Sequence, residues 1–384
     1  MTGVFRVGSE GRLMRARVAG APRSSAVRTW LYVVAALVVA MVAVGGATRL
    51  TGSGLSITEW RPVTGAIPPL SQADWAAEFA KYKDTPQYNI LNQGMGLSAF
   101  KVLYGWEWGH RLLGRLIGLV FFLPLIVFWW QGKISRKLGL GLLGLGVLGG
   151  LQGAIGWIMV ASGLQPGMTA VAPLKLALHL TMASLILAGL VWLAAGERGG
   201  ALKAAPARLR VTAMLLPVLV LVQIFLGGLV AGSHAGLVYN TWPTMDGALV
   251  PQAETLFAIR PWIENFVDNH ALVQFDHRMT AYLVIVVAIM HAVDARVAGS
   301  RGAAGRATGV AVLALAQAML GIATLLLAIP LWAALAHQVL AMAVLTMATV
   351  HARLSRGIGQ EIGRTRFEQA GPPIGFEGLA GRGV

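Results

Sequence analysis

Four histidines, His110, His179, His277 and His337, occur as two matched pairs in two stretches of sequence that repeat each other. His110 and His277 each precede an arginine and head an apolar run, at an offset of 277 − 110 = 167. His179 and His337 lie inside apolar runs, at an offset of 337 − 179 = 158. An ionisable side chain within a membrane span is costly unless it has a partner. Two imidazoles from facing helices supply the axial ligands of a six-coordinate heme iron. A single histidine near a helix end reads more simply as an interfacial residue bonded to a loop. Four at repeat-related positions favour ligation, with His110 meeting His179 and His277 meeting His337.

The neighbours of these residues add detail. Arg111 and Arg278 follow two of the candidate ligands, and Lys175 stands one turn before His179 on the same helix face. Such cations suit the carboxylates of heme propionates. Glu107 stands one turn before His110, whereas the matching position before His277 is Gln274. A carboxylate beside one of two similar irons suggests chemistry at one site and electron transfer at the other. A hydrogen bond that only orients an imidazole explains Glu107 equally well. His291 and His351 each follow a candidate ligand at the same offset (291 − 277 = 351 − 337 = 14), or ~21 Å along a helix. That spacing would stack a second heme in one bundle, but Pro124 and Leu193 occupy the equivalent positions of the first half. His291 and His351 are therefore read as interfacial, and His234 and His270 as solvated loop residues.

The chain that must position these groups has 384 residues, 56% hydrophobic and 12% charged. Soluble domains carry about 25% charge, so the composition is that of an integral membrane protein. Uncharged runs at 29–48, 116–132, 138–174, 176–196, 211–245, 279–293 and 307–352 hold about eight helices, each needing roughly 20 apolar residues. Pro330 divides the last run in two. His110 and His277 then open the second helix of each half, and all four candidate ligands fall near one membrane face. The +15 formal charge is spread over alternate connections and both tails, as the positive-inside rule requires. It therefore speaks for membrane topology and against nucleic acid, with both termini cytoplasmic and two long loops, 49–106 and 232–276, outside. The first run is read as a retained helix rather than a cleaved leader. With no cysteine, disulfides, iron–sulfur clusters, thiolate-bound heme and covalent c-type attachment are excluded.

The repeat is continuous in places. Gly45-Gly46, Gly54-Leu55, Trp60, Gly65-Ala66 and Pro69 recur, all at an offset of 227 − 45 = 182, as Gly227-Gly228, Gly236-Leu237, Trp242, Gly247-Ala248 and Pro251. Gln152 and Gly156 recur at an offset of 317 − 152 = 165 as Gln317 and Gly321. The expected architecture is all-α, with eight transmembrane helices in two tandem pseudo-symmetric four-helix bundles, residues 29–196 and 211–352. A basic tail (1–28), a linker (197–210) and a C-terminal tail (353–384) complete the chain on the cytoplasmic side.

The segments GGATRLTGSGLS, EWGHRLLGR, GGLVAGSHAGLVYNTWPTMDGALVP, FDHR and LAHQ together resemble the heme A synthase family, over about residues 29–353. The resemblance implies two bis-histidine heme sites. In the first, His110, His179 and Glu107 would take substrate heme O; in the second, His277 and His337 would hold a resident heme b. It implies oxidation of the heme O C8 methyl to a formyl group through successive hydroxylations, making heme A for cytochrome c oxidase. It also implies a bacterial inner-membrane location among lipid, and a partnership with heme O synthase follows from the shared pathway. Oligomeric state is left open. Some members carry cysteine pairs in the outer loops; this chain has none, so no thiol step carries over. A b-type electron-transfer cytochrome and a heme carrier are the competing classes, and Glu107 is what separates them from an enzyme.

Overall fold

A computed structural model of the chain describes residues 24–199 and 202–357. Most of the basic N-terminal tail, two linker positions and the C-terminal tail beyond 357 lie outside the described residues. Among the described residues, eight helices are long and apolar enough to cross a membrane, with 18-residue windows of mean hydropathy 1.6 to 2.5. They are α1 (Ser25–Leu50), α2 (Leu97–Trp130), α3 (Arg136–Gly163), α4 (Pro173–Gly196), α5 (Ala207–Gly232), α6 (His270–Val297), α7 (Arg301–Leu326) and α8 (Leu331–Ser355). The chain is thus a multi-pass, all-helical membrane protein.

Local sequence sets the helix ends. The Ser135 hydroxyl accepts from the Leu138 N–H and starts α3. The Asn269 side chain accepts from the Ala271 and Leu272 N–H groups and starts α6. Pro173 occupies the first turn of α4, where its missing N–H leaves nothing unpaired. Pro330 separates α7 from α8, after a turn in which Ala328 and Ile329 adopt left-handed backbone. Pro124 and Pro217 lie inside α2 and α5, a position that membrane helices tolerate when neighbours satisfy the freed carbonyls.

Helix neighbours run in two circuits. α1 packs on α2 and α4, and α3 packs on α4 and, over a shorter stretch, on α2; α6 packs on α5 and α7, and α8 on α5 and α7. The circuits meet along α4–α5, α4–α8 and α1–α8. The α4–α5 seam depends on small residues: a Cβ added at Gly228 would lie 2.7 Å from Ala177 Cα, and one at Gly232 would lie 2.7 Å from Pro173 Cα. Two backbones in contact at that spacing leave no room for a side chain. Between α8 and α1 the Gln338 amide donates to the Val42 carbonyl at 2.8 Å, and Arg49 of α1 donates to the Ala231 carbonyl of α5 at 2.7 Å.

Two long loops sit at the end of the bundle where α4 and α8 begin. The first contains helices Gln72–Lys83 and Pro86–Leu91, which have no counterpart of similar length in the second loop. An aromatic cluster anchors it: Phe79, Tyr82, Phe100 and Tyr104 are buried together, with Phe100 stacked on Phe79 and Tyr82. Gln87 ties this insert to the Gly52 carbonyl. An ion-pair network of Glu59, Arg61, Glu78 and Lys81 covers it. The hydrogen bond from Lys81 holds the Glu59 carboxyl below its ordinary range, and Arg61 adds to that.

Gly228→Val, which drives two methyls into the α4 backbone, is expected to destabilise the protein by about 1–3 kcal/mol. Gly149→Val, at a position with open space around the added Cβ, serves as control. Thermal unfolding in detergent measures both; equal stability of the two variants would refute the close seam.

Candidate heme site

His110 and His277 do not sit at helix openings as the uncharged runs suggested. His110 lies more than three turns into α2, which begins at Leu97, and His277 lies about two turns into α6, which begins at His270. The helices begin earlier because their first turns carry polar residues and lie against the long loops. His179 and His337 occupy matching depths in α4 and α8 (179 − 173 = 337 − 331), less than two turns from the helix start. All four therefore lie at the loop-bearing end, inside their helices rather than at the first residue. His110 stands within electrostatic reach of His179, and His277 of His337.

Each of the four rings faces a glycine. A Cβ placed on Gly45 would lie 3.0 Å from His110 Nε2, and one on Gly227 would lie 3.1 Å from His277 Cε1. A Cβ on Gly156 would come within 2.8 Å of His179 Cε1, and one on Gly321 within 2.7 Å of His337 Cε1. These glycines obey the repeat offsets of 182 and 165 (227 − 45 and 321 − 156). The missing Cβ is what lets each ring stand beside the neighbouring helix.

Glutamines brace three of the rings. Nε2 of Gln152 lies 3.3 Å from His179 Nε2, that of Gln223 lies 3.0 Å from His277 Nδ1, and that of Gln317 lies 3.4 Å from His337 Nε2. Each amide also donates to the backbone carbonyl of its histidine. Yet Nδ1 of His179 and of His337 is buried without a partner. Buried polar atoms are normally satisfied, so these orphans and the glycine cradles fit a heme held by two histidines in each half.

Glu107 is buried and accepts three hydrogen bonds. Its Oε2 takes the Ser56 hydroxyl at 2.7 Å and the Ile57 N–H at 2.8 Å, and its Oε1 takes Arg111 at 2.7 Å. The remaining guanidinium bonds of Arg111 go to the Ile57 and Glu59 carbonyls. The second half copies this construction with inverted polarity. Gln274 donates to the Ala235 and Tyr239 carbonyls and accepts from Arg278, which also donates to the Tyr239 and Thr244 carbonyls. Both arginines thus clamp a loop onto the helix. Lys175, by contrast, makes no ion pair among the described residues and lines a cavity of about 300 Å³ with Trp157, Ser162 and Gln165. Arg115, which the sequence reading missed, lines a second cavity of about 420 Å³ with Arg111 and Tyr104. Its NH1 is buried and unpartnered.

His291 and His351 lie within two turns of the ends of α6 and α8, but they are packed inside the bundle, 3% and 1% exposed, and bond each other. Their Nε2 atoms are 2.7 Å apart, and Thr212 Oγ1 lies 2.6 Å from His291 Nδ1. Two trans ligands at metal bonds of about 2 Å need about 4 Å between nitrogens, and no glycine among the described residues opens space beside this pair. The stacked second heme has no room. His234 and His270 are exposed in the loop and at its junction with α6, as expected.

Fold and site together define a polytopic membrane protein with one histidine-paired, heme-fitting site in each half of an internal repeat. The chain belongs to the COX15-CtaA family of cytochrome oxidase assembly proteins, whose model matches residues 28–349. It is 85% identical to a heme A synthase of Methylobacterium radiotolerans, over 94% of this chain and 98% of the relative. It is 73% identical to a heme A synthase of Methylorubrum extorquens, over 94% of each chain. At greater distance it is 54% identical to a heme A synthase of Bradyrhizobium diazoefficiens, over 85% of this chain and 90% of that one.

Gly321→Ala places a methyl 2.7 Å from His337 Cε1 and is expected to displace the ring and lower heme content by about half. Gly153→Ala, whose added Cβ meets nothing closer than 3.9 Å, should leave heme content unchanged. Pyridine hemochrome spectra per mole of purified protein measure both.

Proposed function

We propose that the chain is a heme A synthase, an oxidoreductase that converts the C8 methyl of heme O to a formyl group by successive hydroxylations. The observation that carries this reading is the glycine-faced histidine pair built twice into a chain so similar to heme A synthases. In this reading residues 29–196 form the bundle that takes heme O, through His110 and His179. Residues 211–352 form the bundle that holds heme b, through His277 and His337. The resident heme supplies one-electron chemistry when bound. The assignment of the two halves rests on Glu107, which is present beside the first site and replaced by Gln274 beside the second.

The residues divide the work as follows. The four imidazoles orient the two macrocycles, and the glycines facing them allow close approach. Glu107 holds an acceptor, balanced by Arg111, next to the methyl-bearing substrate, where it receives protons or stabilises developing positive charge. Arg111 and Arg278 close the loops over the sites, which excludes water. Lys175, which makes no ion pair among the described residues, is the propionate-binding cation that remains available; Arg111 and Arg278 add positive charge from their loop clamps. Sited in the bacterial inner membrane with both termini cytoplasmic, the sites lie toward the outer face. Heme O synthase is the partner that would deliver substrate.

Coexpression with a heme O synthase, followed by chromatography of extracted hemes, is expected to yield heme A and its hydroxylated intermediate. Their absence, with the protein present in the membrane, would sink the assignment. Glu107→Gln is expected to keep heme bound while turnover falls at least tenfold. Unchanged turnover would remove Glu107 from the chemistry.

A further inference from the structure

Three of the four site histidines rest on a glutamine amide, and the fourth does not. Gln152 on α3 braces His179, Gln317 on α7 braces His337, and Gln223 on α5 braces His277. The repeat offset carries Gln223 to 223 − 182 = 41, and position 41 is methionine. The geometry agrees with the offset. Gln223 stands one turn before Gly227, the glycine facing His277; Met41 stands one turn before Gly45, the glycine facing His110. Met41 Cε also lies 3.4 Å from the Cβ position of Gly114, one turn beyond His110 on α2. By register and by its approach to Gly114, the thioether takes the place beside α2 that the Gln223 amide takes beside α6.

The difference is chemical. In each braced pair the amide grips the histidine twice, at a ring nitrogen and at its backbone carbonyl, which fixes both ring rotation and height. Each of the three amides also has a buried, unpartnered Oε1. In a metal-bound imidazole the ring nitrogen away from the metal carries a proton and needs an acceptor, which an amide oxygen turned toward it would supply. A thioether donates nothing and accepts weakly; it packs as a flexible apolar group. Loss of such an outer partner typically lowers metal affinity by about 10- to 100-fold.

We propose that Met41 is a positioning residue that makes the His110 iron bond the weak one, so that the first site exchanges its heme while the second retains it. The proposal rests on the reading of the first half as the substrate site, and gives that site what a substrate pocket needs: a ligand that lets go of product. The second site, with both ligands braced, keeps its cofactor through repeated turnover. A Met41→Gln side chain has a partner waiting in the backbone carbonyl of His110, so the change adds no orphaned amide.

The test compares wild type, Met41→Gln, Met41→Leu and Gln223→Met, purified whole in detergent and loaded with hemin. Heme loss to excess apomyoglobin gives dissociation rates, and low-temperature electron paramagnetic resonance of the ferric protein reports how each imidazole is held. Wild type is expected to lose heme in a fast and a slow phase, with His110→Ala abolishing the fast one. Met41→Gln should slow the fast phase by about 10- to 100-fold and sharpen its low-spin signal. Gln223→Met should speed the slow phase by a similar factor, and Met41→Leu should change neither. The proposal is overturned if Met41→Gln and Gln223→Met both leave the rates as they were. It is equally overturned if Met41→Leu slows loss as much as Met41→Gln, since packing alone would then explain the effect. If Met41→Gln fails to fold, Gln223→Met decides by itself. A wild-type protein that binds no hemin defeats the heme reading itself, an outcome distinct from bound heme whose release ignores position 41.

Discussion

An imidazole among hydrocarbon must have its nitrogens partnered, because a polar group left bare in such a medium costs several kcal/mol. Much of this structure follows from that constraint. The four matched rings need helix neighbours close enough to touch, which requires Gly45, Gly156, Gly227 and Gly321 in place of larger residues. Three of them take an amide at fixed height, which places Gln152, Gln223 and Gln317 one turn from their glycines. Residues that lie one turn apart on one helix can serve one ring on the next. The same helices must then run side by side for their whole length, and the small residues of the α4–α5 seam permit it. The His291–His351 pair meets the constraint in part: with no glycine among the described residues beside it, each ring uses the other and Thr212 serves His291, while His351 Nδ1 stays buried without a partner.

The repeat supplies one solution twice, and the departures from it collect around the first site. Glu107 replaces the glutamine, Met41 replaces an amide, Lys175 stands where the second half has Ala333, and Arg115 where it has Tyr282. The aromatic insert of 72–91 covers the same end of the same half. Even the buried imidazole pair belongs to one half only, since Trp30, Pro124 and Leu193 fill the positions of Thr212, His291 and His351. A duplicated scaffold keeps what both halves share, here a pair of histidines each faced by a glycine. Differences confined to one half mark where the two tasks diverged.

How much of this was legible in the sequence follows from the range of each interaction. Eight spans, the division at Pro330 and the repeat were readable because hydropathy and register are properties of contiguous residues. Helix starts were misplaced: Lys101 and Tyr104 fall within what reads as the first outer loop, yet α2 runs 34 residues and carries them out against the rest of that loop. The partners of Glu107 were hidden because Ser56 lies far back along the chain and its contribution depends on a loop conformation. His291 and His351 looked interfacial because nothing along the chain says that α6 and α8 present them to each other. Gln223 and Met41 were readable, since the offset of 182 already linked the glycines beside them. What hid them was that attention to matching residues passes over the position where a match fails.

The inverted polarity at Glu107 and Gln274 shows how a single charge can be introduced without dismantling the shared scaffold. In the second half an amide donates to two loop carbonyls and accepts from Arg278. In the first, the loop turns a hydroxyl and an N–H toward the same place, so a carboxylate meets donors rather than carbonyl oxygens. The arginine one turn on serves both arrangements, and its bond to the carbonyl of Ile57 or Tyr239 is common to them (239 − 57 = 182). A carboxylate facing two carbonyls would be repelled, and an amide in place of Glu107 would keep the two loop donors on its oxygen but turn its NH2 toward the Arg111 guanidinium, donor against donor, so neither residue can be exchanged alone without loss. The charge beside the first site is therefore built into its loop as well as its helix. That coupling is what a group required for chemistry, and not merely for support, would need to remain fixed while substrate passes it.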